Sequence, residues 1–142
     1  MLIGQFEHSL DTKGRLTLPS GLAGQLAAGV VLTSGLEGCI YLFPAAEFEK
    51  LSGRIRELPF TDTRARKLRR RLFPQAHAVD PDKQRRILIP QWLRDHAGIT
   101  DRVLIAGMDI YAELWAPDAW REQSEYLSDE LTDEEYFAGL DV

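Results

Sequence analysis

One nine-residue pattern is written twice in this chain of 142 residues: "DTKGRLTLP" from Asp11 to Pro19 and "DKQRRILIP" from Asp82 to Pro90. Both read Asp-x-x-x-Arg-apolar-x-apolar-Pro, 71 residues apart. The duplication continues beyond the two prolines. "VVLTSGLEGCIYLF" answers to "DRVLIAGMDIYAELW", with Gly35 and Leu42-Phe43 matching Gly107 and Leu114-Trp115 at an offset of 72. Internal self-similarity constrains the fold before any local propensity does. Two copies of about 45 residues, 5–47 and 76–119, account for most of the sequence.

Each copy has the same local grammar. "QFEHSL" alternates, putting Phe6, His8 and Leu10 on one face of a half-buried strand. "RLTLP" and "RILIP" place Leu16 and Leu18, then Ile87 and Ile89, on one side. Pro19 and Pro90 then stop the ladder because proline has no N–H to donate. A short helix comes next in each copy. In the first, Leu22 and Leu26 face inward and Gly29 is the expected cap; in the second, Trp92, Leu93, His96 and Ala97 lead to Gly98 as cap and Ile99 beyond it. Two apolar runs around a Gly-containing turn complete each unit.

Such a unit is too small to bury a core alone. The expected architecture is therefore mainly β with short helices, an α+β fold. Its two tandem units are related by a pseudo-twofold, exchange strands, and assemble into an oligomer.

Between the copies, 48–75 has a different composition and reads as a basic helical linker. Eight basic residues fall between Arg54 and Arg71, against Glu57 and Asp62. "TDTRARKLRRRLF" is expected to be a helix capped by Thr61 or Asp62, with Leu68 and Leu72 facing inward. Its basic residues occupy several faces, as a solvated linker helix would arrange them. The segment 120–142 reads as an acidic helix or tail, with Asp118 as N-cap and Trp120, Tyr126 and Leu127 as packing points. Nine acidic residues and one basic residue lie between Asp118 and Val142, so the net charge of −5 hides a positive balance in the rest of the chain. A low overall pI therefore leaves a polyanionic partner open, because the local field decides.

Catalysis has little to stand on. His8, His77 and His96 are scattered away from metal-ligand spacing, and no phosphate-binding glycine loop or nucleophile motif occurs. Cys39 sits in the apolar stretch "GCIYLF" and is expected to be a buried, reduced thiol. No cofactor and no metal is expected. No apolar run approaches the ~20 residues of a membrane helix, and a cytoplasmic location is expected.

The polar half of the repeat is the candidate site. Thr12, Lys13, Gly14 and Arg15, and again Lys83, Gln84, Arg85 and Arg86, form donor-rich loops without bulky apolar groups. Loops of this kind on a rigid sheet suit phosphate contact, and arginine makes bidentate bonds to phosphate or guanine. The bland alternative is a local Asp–Arg ion pair that merely fixes a turn.

The segments "HSLDTKGRLTLP", "RRRLFPQAHAVDPDKQRRILIP" and "VLIAGMDIYAELW" resemble the MraZ family, bacterial transcriptional regulators with two tandem SpoVT-AbrB-type domains. The resemblance runs over nearly the full length. It implies a swapped-hairpin, β-barrel-like fold and homo-oligomeric rings, an octamer or larger. It also implies sequence-specific binding to double-stranded promoter DNA with repeated boxes, upstream of the division and cell-wall gene cluster that includes the regulator's own gene. A nucleoid-associated protein is the corresponding expectation. The matching positions are Asp11, Lys13, Gly14 and Arg15 in the first copy and Asp82 and Arg86 in the second.

On that basis Lys13, Arg15, Lys83, Arg85 and Arg86 form the expected DNA-contact set, with Asp11, Gly14 and Asp82 structuring the loops. One departure stands out: the family's second loop usually has Gly before its Arg, and this chain has Arg85. Either that loop takes another shape, or Arg85 tolerates a conformation that glycine normally fills. A different class of function remains as the alternative, a self-assembling interaction protein acting mainly on protein partners, with Trp115 and Trp120 as exposed candidates.

Overall fold

A computed structural model of the chain describes residues 1–130 and 136–141, the side chains of 126–130 excepted. The first copy supplies β1 (Gln5–Ser9), β2 (Arg15–Thr17), α1 (Ser20–Leu26), β3 (Val30–Ser34) and β4 (Ile40–Pro44). Two helices come next, α2 (Ala45–Arg56) and α3 (Thr63–Leu72). The second copy supplies β5 (His77–Val79), β6 (Arg86–Leu88), α4 (Gln91–Ala97), β7 (Arg102–Gly107) and β8 (Ala112–Trp115), and α5 (Pro117–Glu130) closes the series. The architecture is mixed sheet and helix, and every strand pairing is antiparallel.

The strands form one sheet of six, ordered β1-β7-β8-β4-β3-β5, and one ribbon of two, β2-β6. Exchanging the copies turns the six-strand order into its own reverse. The first strand of each copy pairs with the third strand of the other: β1 with β7, Phe6 opposite Ile105, and β5 with β3, Ala78 opposite Val31. The pseudo-twofold passes between Tyr41 and Glu113 in the sheet and between Leu16 and Ile87 in the ribbon. Neither copy therefore closes its own hydrogen-bond ladder, and the two cover a single core.

That core is what the alternation requires. Leu16, Leu18, Ile87 and Ile89 are fully buried and pack in one cluster with Leu22, Leu26 and Leu93 from the two short helices. Burying a side chain of this size is worth about 1.5–3 kcal/mol. β1 alternates between exposed and half-buried positions, with Phe6 and His8 on the half-buried side. Helix α4 ends as expected: Gly98 is left-handed at φ 64, the Ile99 amide donates to Arg94 O at 2.9 Å, and Ile99 is buried. Helix α1 ends earlier, at Leu26, with Ala27 as its cap and Gly29 two residues beyond.

Three local expectations are corrected. In α3, Asp62 is the N-cap and its side chain accepts from the Arg64 amide, but Leu68 is exposed. The buried positions are Ala65 and Leu72, because the short Ala65 lets the helix approach closely. The C-terminal end of α3 is held by Thr33 and Ser34, whose hydroxyls donate to Leu72 O at 2.6 Å and Arg71 O at 3.1 Å. Asp118 is not an N-cap. Pro117 occupies the first helical position, where its missing N–H is harmless, and Asp118 in the first turn accepts from Arg121 Nη1 at 2.9 Å. Trp115 is buried and Trp120 half-buried, their rings 6.0 Å apart, so neither is an exposed anchor. Tyr126 and Leu127 lie outside the residues whose side chains are described. Helix α2 begins at Ala45, before the segment 48–75, and runs to Arg56.

Candidate nucleic-acid interface

The ribbon is where the repeated pattern acquires its geometry. Arg15 lies opposite Leu88, Leu16 opposite Ile87 and Thr17 opposite Arg86. Two crossed bonds extend it, from the Leu18 amide to Arg85 O at 2.8 Å and from the Ile89 amide to Gly14 O at 3.0 Å. Since side chains alternate along a strand, burying Leu16, Leu18, Ile87 and Ile89 turns Arg15, Thr17, Arg86 and Leu88 to the other face. Both signature arginines thus share one outward surface.

At each end of the ribbon a loop is tied by its aspartate. Asp11 Oδ1 accepts from the Lys13 and Arg15 amides, both at 2.9 Å, and Oδ2 accepts from Arg15 Nε at 2.6 Å. Asp82 repeats this with the Gln84 and Arg86 amides at 2.9 Å and Arg86 Nε at 2.9 Å. The backbone repeats too: Gly14 N donates to Asp11 O at 3.0 Å, and Arg85 N to Asp82 O at 2.9 Å. A carboxylate accepting several N–H bonds is held in its charged form. The Arg15 amide is the largest influence on Asp11, followed by burial, which opposes it, and then by the Arg15 side chain and the Lys13 amide. Together they lower its pKa from 3.8 to about 2. The Arg86 amide likewise holds Asp82 below the usual range.

Of the two shapes open to the second loop, the structure takes the glycine-like one. Gly14 has φ 82 and Arg85 has φ 61. Arg85 is left-handed despite its side chain, at a cost of about 1–2 kcal/mol.

The grip of each aspartate on Nε leaves the terminal nitrogens of Arg15 and Arg86 without a protein partner among the described residues. Lys13, Lys83 and Arg85 are exposed, and their side chains are likewise without a protein partner among those residues. The Arg54–Arg71 group behaves differently. Arg69 donates to the Ile55 and Leu58 carbonyls, Arg66 to Phe60 O, and Arg71 to Gly35 O, so three of these cations fasten the helices to their surroundings. Cys39 is buried, donates to Leu36 O at 3.3 Å, and has its pKa pushed up chiefly by burial, the opposite of what a nucleophile requires. His77 packs edge-on against Trp92, and His96 Nε2 lies 3.2 Å from Gly35 O. Among the described residues no group of three His, Cys, Asp or Glu is placed to hold a metal ion, and no helix is long and apolar enough to cross a membrane.

Two halves of the chain, residues 1–71 and 72–138, each match the family model described as "MraZ protein, putative antitoxin-like". The chain belongs to the MraZ family. Relatives named "Transcriptional regulator MraZ" support the membership over most of the length. One from Herpetosiphon aurantiacus is 39% identical over 130 residues, 92% of this chain and 91% of the relative. One from Clostridium acetobutylicum is 38% identical over 125 residues, 88% of each chain. One from Salinispora arenicola is 39% identical over 133 residues, 94% of each. The two MraZ matches meet between Arg71 and Leu72, at the C-terminal end of α3.

The MraZ resemblance directs attention to the loops, but other features of the site come from the structure alone. Thr17 and Leu88 also face outward on the ribbon. Arg94 of α4, which the motif does not include, places its guanidinium against Gly14.

Proposed function

We propose that this chain is a sequence-specific DNA-binding transcriptional regulator, not an enzyme. It acts at the promoter of the division and cell-wall gene cluster that includes its own gene. The observation that carries this reading is the ribbon face, with Arg15 and Arg86 diagonal to one another, each braced at Nε and open at its terminal nitrogens. A two-stranded ribbon fits the B-DNA major groove, which is about 12 Å wide. Arginine forks there can read guanine edges or clamp phosphates.

Lys13, Lys83 and Arg85 extend the contact set as phosphate-facing cations. Asp11, Gly14 and Asp82 give the loops their shape, since carboxylates placed against phosphates would repel. The printed name of the relatives, transcriptional regulator, supports the same function.

Assembly belongs to the same reading. The exchange of strands between copies supports a swapped-hairpin, barrel-like protomer built from repeats 5–47 and 76–119, with 48–75 joining them. Met1, Ile3 and Ile110 stand exposed around the Leu2–Asp109 bridge, and Phe60 is 79% exposed, which supports contact between protomers in a ring. One ribbon binds weakly; a ring repeating it across repeated DNA boxes raises apparent affinity by ~10²–10⁴ where the geometry permits. The excess of acidic residues after Asp118 repels phosphates and so suppresses nonspecific binding, and the protein works in the cytoplasm at the nucleoid.

Gel retardation with the DNA immediately upstream of the chain's own coding sequence tests this. Specific retardation, competed by that fragment and not by random duplex, is expected. No retardation at low salt would favour a self-assembling protein acting on protein partners.

A further inference from the structure

The two ends of the ribbon differ at one pair of positions, and the difference is reciprocal. At the first end the loop carries Gly14 and the facing helix α4 carries Arg94. A Cβ built on Gly14 would lie 2.7 Å from Arg94 Cζ and 2.8 Å from Nη2, so the guanidinium fills the place where a side chain at 14 would begin. At the second end the loop carries Arg85, and the helix residue equivalent to Arg94, 71 positions earlier, is Ala23. Ala23, Gly24 and Ala27 line a surface pocket that Arg85 borders. Each junction of loop and helix therefore holds one arginine, supplied by the helix at one end and by the loop at the other.

Packing alone does not call for this. Alanine at 94 and glycine at 85 would suit the backbone at least as well, because Arg85 occupies a left-handed conformation that glycine adopts freely. What the two arrangements share is the guanidinium. Arg94 is half-buried and anchored through Nε to Ile89 O at 2.9 Å, the residue whose amide donates to Gly14 O. Its terminal nitrogens take no protein partner among the described residues. It thus repeats the posture of Arg15 and Arg86, with Nε held and the fork open, beside the loop that contains Lys13.

We propose that Arg94 is a DNA-contacting residue of the first loop, supplying there the phosphate-facing guanidinium that Arg85 supplies at the second. This rests on the reading of the ribbon as a DNA-binding face. A phosphate contact carries no sequence information. Arg94→Gln in the full-length, assembled protein is therefore expected to weaken binding to the upstream fragment and to a random duplex of equal length by a similar factor, about tenfold. The slope of log affinity against log salt should fall by about 0.9 for each phosphate that is no longer neutralised. Arg94→Lys should keep the slope.

A second variant relocates the charge without touching Arg94. Arg85→Gly should lose affinity, and Ala23→Arg with Arg85→Gly should regain it. Unchanged affinity and slope in Arg94→Gln, while Arg15→Gln abolishes specific retardation, would overturn the inference and leave the DNA reading standing. Retardation unaffected by Arg15→Gln would bring down the DNA reading itself. A lower melting temperature for Arg94→Gln with an unaltered slope would make Arg94 a structural brace and also overturn the inference.

Discussion

Arg15 and Arg86 are diagonal neighbours on the outward face of the β2-β6 ribbon, and the aspartate four residues before each one holds its Nε. Diagonal neighbours on a ribbon lie about 7–8 Å apart, with their Cβ atoms somewhat closer. The two forks therefore have a spacing set by backbone hydrogen bonds rather than by side-chain freedom. Ordering a rotamer-rich side chain on binding costs about 0.5–1.5 kcal/mol, and a fork already braced at Nε avoids part of that.

The brace should titrate. Asp11 has its carboxyl lowered from 3.8 to about 2 by the Arg15 amide first, against the opposing pull of burial, with the Arg15 side chain and the Lys13 amide adding to it. A folded-state pKa below the unfolded one means that the contribution to stability is complete above about pH 4. It fades as pH falls from there through about 2. Carboxyl-carbon NMR should give an Asp11 midpoint near 2 and an Asp82 midpoint displaced in the same direction. A midpoint at the ordinary 3.8 for Asp11 would mean that the loop opens in solution.

Gly14 and Arg94 should be energetically coupled. Gly14→Ala meets two obstacles, a left-handed φ of 82 and a guanidinium 2.7 Å from the new Cβ. The first costs about 1–2 kcal/mol, and displacing Arg94 from Ile89 O costs about 1 kcal/mol more. In an Arg94→Ala background only the first should remain. Denaturant unfolding of the four proteins in this cycle should give a coupling of about 1 kcal/mol; a coupling near zero would mean that the guanidinium moves aside freely.

Arg85→Gly should separate stability from binding. Glycine removes the left-handed cost of about 1–2 kcal/mol but gives back about 0.4–1 kcal/mol through the freer unfolded chain. Unfolding free energy should stay level or rise by up to about 1.6 kcal/mol, while DNA affinity drops. A decrease of more than about 2 kcal/mol, measured by denaturant, would place Arg85 in a structural role instead.

The two strands that form the ribbon were the most legible elements, because alternation in "RLTLP" and "RILIP" is a local signal and only one face of each strand can be buried. Which strand pairs with which is not local. Nothing in "QFEHS" names Ile105 as the partner of Phe6, and only the duplicated pattern suggests that the copies cross. The start of helix α2 at Ala45 and its packing face were not legible, because its inward contact is narrow, with Ile55 alone fully buried. Leu68 misled for the complementary reason: a helix packing through Ala65 leaves its larger neighbour outside. Arg94 carried a readable trace, since aligning the copies at an offset of 71 sets Gly14 against Arg85 and Ala23 against Arg94. The exchange of small for large at both positions marks a contact, but which atoms meet required the structure.

The paired arginines, on this account, bind DNA rather than hold the protein together. Arg15→Gln and Arg86→Gln, tested for retardation of the upstream fragment alongside assembly size by light scattering, address that most directly. Each variant should lose specific retardation and keep the wild-type assembly size. Retained retardation, or a simultaneous loss of retardation and assembly, would contradict the account.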